Sequence, residues 1–138
     1  MKPITVLLVM SGERRAGVLE EVEACNVHVL VACGLKEARD MMGTRVVDLI
    51  LTDAALPDGD WRDVIAHRVA ARLAAEVIVF PRRLDRALCT EAFDRGAWDV
   101  VADSSSRDEL RKTIESAASR SYMRSLSQTS RTRTAGAA

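Results

Sequence analysis

Apolar positions fall into two patterns that alternate along the chain. ITVLLV (4–9), VHVLVA (27–32), VDLILT (47–52), EVIVF (76–80) and DVVA (99–102) are short, β-branched and apolar almost throughout. That is the signature of parallel strands covered on both faces. Between them the apolar residues recur at helical spacing: Val18, Leu19 and Val22; Leu35, Ala38, Met41 and Met42; Trp61, Val64, Ile65 and Val69. Leu84, Leu88, Ala92 and Phe93 predict a fourth helix, and Leu110, Ile114 and Ala117 a fifth. Strand and helix repeated in this way predict an α/β fold of (βα)5 type, a doubly wound five-stranded parallel sheet with right-handed crossovers. Ligands of such sheets sit beyond the carboxyl ends of the strands. Asp53 directly follows the third apolar run, which places a carboxylate at that edge.

Composition narrows the organisation. A chain of 138 residues with 48% hydrophobic and 29% charged residues supports one core rather than two. The net charge of zero conceals an asymmetry, because residues 119–138 hold Arg120, Arg124, Arg131 and Arg133 and no acid. The expected domain is 1–118, followed by 119–138 as the end of the last helix and a basic, Ser/Thr-rich tail that is disordered past about residue 124. Four scattered arginines with no DNA-reading motif make no nucleic-acid partner expected. The run Ile4–Val9 is too short for a signal-peptide core or a membrane span, so a cytoplasmic location and no membrane contact are expected. Cys25, Cys33 and Cys89 show no CxxC spacing and are expected as buried, reduced thiols; His28 and His67 lack ligand partners nearby in sequence.

The stretch DAALPDGDW (53–61) has a strand-ending aspartate, a proline four residues on and then a glycine. With GAWDVVADSSSRDEL (96–110), it resembles the receiver domain of two-component response regulators, a flavodoxin-like fold, over roughly residues 4–118. The resemblance implies that Asp53 stands at the phosphoacceptor position of a phosphorelay and that a histidine kinase or another signalling protein is the partner.

An acyl-phosphate site needs more than one aspartate: oxygen ligands for Mg²⁺, and a cation and a hydroxyl for the phosphoryl oxygens. The family's acidic pair after the first strand falls on Met10 and Ser11, its Thr or Ser after the fourth strand on Pro81, and the small residue that follows on Arg82. Its lysine after the fifth strand falls on Asp103, with Ser104 next, and its fifth-strand aromatic on Val100. These departures imply a degenerate pseudo-receiver with no cofactor: Mg²⁺ binding weak or absent, and phosphorylation of Asp53 weakened or lost. Two carboxylates about 4 Å apart at an effective dielectric near 20 repel by about 4 kcal/mol, so either a cation stands between Asp53 and Asp103 or one of the two acids is protonated. Arg82, next to Arg83 at the same edge, is the expected bridge.

Other chemistries lack their motifs. There is no GxxxxGK[ST], no GxGxxG after the first strand, no HExxH and no GxSxG, and neither Lys36 nor Lys112 stands at the sheet edge, so no enzyme is expected. Two alternatives remain open. One is a working phosphoacceptor in which Glu13 and an arginine substitute for the missing residues; the other is a small flavodoxin-like enzyme or ligand-binding domain using a pocket around Asp53. Asp58-Gly59 is expected to be turn chemistry, and Trp61 and Trp98 packing residues. The mixed charges of Arg83, Arg86, Asp94, Arg95, Asp108, Glu109, Arg111 and Lys112 suit a weak homodimer through the fourth helix, fifth strand and fifth helix.

Overall fold

The computed structural model describes residues 4–102 and 107–137. In chain order the elements are β1 (Thr5–Val9), α1 (Glu13–Glu23), β2 (His28–Ala32), α2 (Leu35–Thr44) and β3 (Leu49–Asp53). Next come β4 (Ala55–Leu56), β5 (Gly59–Asp60), α3 (Trp61–Ala70), β6 (Glu76–Phe80), α4 (Arg86–Arg95), β7 (Asp99–Val100) and α5 (Arg107–Ala137). Five strands pair in the order β2-β1-β3-β6-β7, all parallel, with Val6 opposite Val29 and Leu49, and Asp53 opposite Phe80. The chain steps outward from β1 to β2 and returns to the other side with β3, so the strand order switches between β1 and β3. A crevice at the carboxyl ends of these strands follows from that topology.

Alternation along the central strands divides the core in two. Leu7, Val9, Ile50, Val77 and Val79 face Ala38 and Met42 of α2, Trp61, Val64 and Ile65 of α3, and Ala92 of α4. Val6, Leu8, Met10, Leu49, Leu51, Ile78 and Phe80 face Val18 and Val22 of α1 and Leu110, Ile114 and Ala117 of α5. Burial on both faces explains why β1, β3 and β6 are apolar at nearly every position. The edge strand β2 departs from that expectation: His28 is exposed and Val29, Leu30 and Val31 are half-buried, because among the described residues no strand pairs beyond them.

Three residues expected in helical core stripes are exposed: Val69, Leu84 and Phe93. On α3 the buried stripe is Trp61, Val64, Ile65 and Arg68, and Val69 lies one helical step past it. Arg68 takes the last core position by donating from Nε to the Ala75 carbonyl at 2.6 Å, with Nη2 3.8 Å from Glu76 Oε1. Leu84 precedes α4, whose N-cap is Asp85, and α4 packs through Ala92 so that Phe93 turns outward. The cysteines are free thiols as expected, but none is buried: Cys25 and Cys89 are half-buried, and Cys33 is exposed at the end of β2. Helix α5 continues to Ala137, beyond the point near residue 124 where irregular chain is expected. No proline interrupts it, and the first glycine is Gly136. Among the described residues no helix is long and apolar enough to cross a membrane.

Candidate functional site at the carboxyl edge of the sheet

The link from β1 to α1 turns at Gly12, whose φ of 76° lies in the left-handed region that only glycine adopts without strain. That turn starts α1 at Glu13 and directs its second residue, Arg14, back across the end of the sheet. Arg14 Nη1 donates to Asp53 Oδ1 at 2.8 Å, and the Ala54 amide donates to the same oxygen at 2.7 Å. The guanidinium lies 5.0 Å from the centre of the Phe80 ring, a cation–π contact with the residue in register with Asp53. Only 10% of the Arg14 side chain and 16% of the Asp53 side chain are exposed, so the pair is shielded from most of the screening that weakens surface ion pairs.

The cation on Asp53 is therefore Arg14 and not the expected Arg82. Pro81 is buried where β6 ends; Arg82 and Arg83 beyond it are exposed, and Arg82 forms no ion pair among the described residues. Asp103, assigned to the same cluster from sequence, lies outside the described residues, as does Ser104.

Met10 continues β1 by donating its amide to the Ala32 carbonyl at 3.0 Å, and its side chain is wholly buried in the core shared with α1 and α5. Ser11 is half-buried and brings no charge, Glu13 is exposed, and Val100 is half-buried in β7. A hard divalent cation requires several oxygen ligands, commonly anionic. The described side chains do not suit one: Met10 offers a thioether to the core, and Arg14 already neutralises Asp53. No group of three or more His, Cys, Asp or Glu residues among the described residues could hold a metal ion.

The loop after Asp53 is braced in ways the sequence does not advertise. Strands β4 and β5 form an antiparallel hairpin turned at Pro57-Asp58. Beyond this turn role, the Asp58 carboxylate accepts from the amides of Leu35 (2.7 Å) and Lys36 (3.0 Å), capping α2, whose own N-cap Gly34 has no side chain. A Cβ on Gly34 would stand 2.7 Å from Asp58 Oδ1. The amides of Lys36 and then Leu35 hold the Asp58 carboxyl below its ordinary value. Asp60 caps α3 in a reciprocal capping box with Asp63. Arg62 then spans to α4 and Glu91, where its hydrogen bonds, aided by Arg95, hold the Glu91 carboxyl down to about 2.

Surface hollows among the described residues lie away from Asp53, two of them as follows. One, of about 380 Å³, is lined by Cys33, Lys36, Glu37, Asp40 and Asp58; the other, of about 330 Å³, by Asp99, Glu109, Lys112 and Thr113.

No protein-family model and no curated protein matches the chain. Solved structures do. The signal receiver domain of an HD domain-containing protein from Pseudomonas fluorescens Pf-5 superimposes with a TM-score of 0.78 at 20% identity, over 88% of this chain and 99% of that one. A response regulator receiver domain from Clostridium thermocellum gives 0.75 at 17% identity (88% and 98%). A response regulator from Thermotoga maritima gives 0.74 at 20% identity (86% and 99%). The chain has the fold of response-regulator receiver domains, a five-stranded flavodoxin-like sheet.

Proposed function

We propose that this chain is a receiver-like signalling domain, not an enzyme, that works through protein–protein contacts in the cytoplasm without Mg²⁺-dependent phosphorylation of Asp53. The observation that carries this reading is the Arg14–Asp53 pair: the carboxylate at the phosphoacceptor position is already neutralised by a side chain of its own fold. Met10, buried where the family's metal ligands begin, and Pro81, with neither hydroxyl nor N–H in place of a Thr or Ser, support the same reading. The partner is a histidine kinase or another signalling protein. A weak second contact between copies would use α4, β7 and α5, where exposed Arg86, Asp94 and Lys112 mix charges.

The test combines millimolar Mg²⁺ with a small phosphodonor such as acetyl phosphate. The expected outcome is an unchanged intact mass, unchanged fluorescence of Trp61 and Trp98, and an unchanged melting temperature. A stoichiometric phosphoryl adduct on Asp53, or a saturable Mg²⁺ response with a midpoint below millimolar, would overturn the reading.

A further inference from the structure

Helix α4 is attached to the body by less core than its neighbour. Ala92 is its single fully buried residue, with Leu88 half-buried beside it, whereas α3 buries Trp61, Val64, Ile65 and Arg68. Most of the remaining surface of α4 is exposed, Phe93 included. What joins α4 to α3 beyond this apolar contact is a polar junction. Arg62, in the first turn of α3, donates from Nε and Nη2 to the two carboxylate oxygens of Glu91, in the middle of α4, at 2.5 and 2.6 Å.

The junction is built on both sides. Arg62 Nη1 donates to Asp60 Oδ2 at 3.0 Å, and the guanidinium lies 4.7 Å from the centre of the Trp61 ring, so its plane is set before Glu91 arrives. Glu91 is held from the other side by Arg95 Nε at 2.8 Å, one helical turn along α4. A two-pronged arginine–carboxylate contact fixes orientation as well as distance, which a lysine could not do. Asp60 closes the hairpin that follows Asp53 and caps α3, so the fork ties the loop of the candidate site to α4.

We propose that the Arg62–Glu91 fork is a latch that fixes the position of α4, and that opening it releases α4 as a unit while the sheet and α3 keep their places. The latch lies at the surface: the side chains of Arg62 and Glu91 are 42% and 33% exposed, so it can open without unpacking the core.

The experiment is ¹⁵N relaxation dispersion on the full chain, comparing wild type with Glu91→Ala and Arg62→Lys. The second variant keeps the charge and most of the side-chain stem and removes only the two-pronged geometry, so it reads the fork with the least disturbance to the fold. For the amides of Arg86–Arg95 the microsecond-to-millisecond exchange contribution should rise about twofold or more in both variants, and the amides of Val6–Val9 and Leu49–Thr52 should stay at wild-type values. Wild-type dispersion along α4 in Arg62→Lys overturns the latch. So does broadening shared equally by α4 and the central strands, because that reports general loosening instead of release of one helix.

Discussion

Arg14 and Asp53 meet through one carboxylate oxygen: Oδ1 accepts both the Arg14 Nη1 proton and the Ala54 amide proton. A charged hydrogen bond in this largely covered place should be energetically coupled. Urea midpoints of Arg14→Met, Asp53→Asn and the double variant should give a coupling energy on the order of 1–3 kcal/mol. Arg82→Ala, at an exposed position, should change stability by no more than about 0.5 kcal/mol. Additive losses for the first pair, or a larger loss at Arg82, would move the cation of the site elsewhere.

The frame of the fold was legible because three central strands are buried on both faces, and a fully apolar run ending in a carboxylate fits few folds besides a parallel sheet with a site at its edge. The identity of the cation was not. Arg14, Arg15, Arg82 and Arg83 all flank the same edge in sequence, and the choice depends on the helical phase that Gly12 imposes. One position later on α1, Arg15 reaches Cys33 instead, donating to its sulfur at 3.0 Å. Two-residue strands such as β4 and β5 fall below the length at which periodicity exists, so the hairpin was invisible too. The exposed Val69 and Phe93 show the limit of apolar spacing, which identifies a helix face but not its edges.

The borrowed cap on α2 predicts a pair of equivalent defects. Asp58→Ala removes the acceptor, and Gly34→Ala pushes it away through a Cβ 2.7 Å from Oδ1. Each should lower the melting temperature by a few degrees, about 3 °C, and the double variant should lose little more than either one. Because the folded carboxyl lies below its ordinary 3.8, its contribution is present above that pH and fades as pH falls through the folded value. The gap between wild type and Asp58→Ala should therefore close in acid; a gap that persists there would assign the loss to packing.

Two helical glycines predict gains. Gly17 in α1 and Gly43 in α2 have open space where a Cβ would stand. Each change to alanine should raise stability by roughly 0.5–1 kcal/mol, and the two should add. Thermal unfolding checks both, and a loss at either position would mean that its surface is covered in solution.

Arg68 and Glu76 predict a loss that depends on pH. Arg68→Met removes the donor to the Ala75 carbonyl and leaves the buried Glu76 with one cation fewer, a cost on the order of 3 kcal/mol at neutral pH. Burial raises the Glu76 carboxyl above its ordinary 4.5, with Arg120 opposing. A raised acid favours the folded state as pH falls through the folded value toward 4.5, since the native form takes up the proton first. The variant should recover part of its deficit over that interval in urea titrations; a constant deficit would mean that Glu76 does not govern it.

The Asp58 cap also orders events in time. The amides it satisfies, on Leu35 and Lys36, precede it by 23 and 22 positions, so a growing or truncated chain that stops before residue 58 holds α2 with an open first turn. A segment ending at Asp53 contains three strands and two helices of the sheet and still lacks the atom that fastens the second helix. The amino-terminal half should not mature as an independent folding unit. Its second helix should gain full protection together with the hairpin, in the same kinetic phase of refolding.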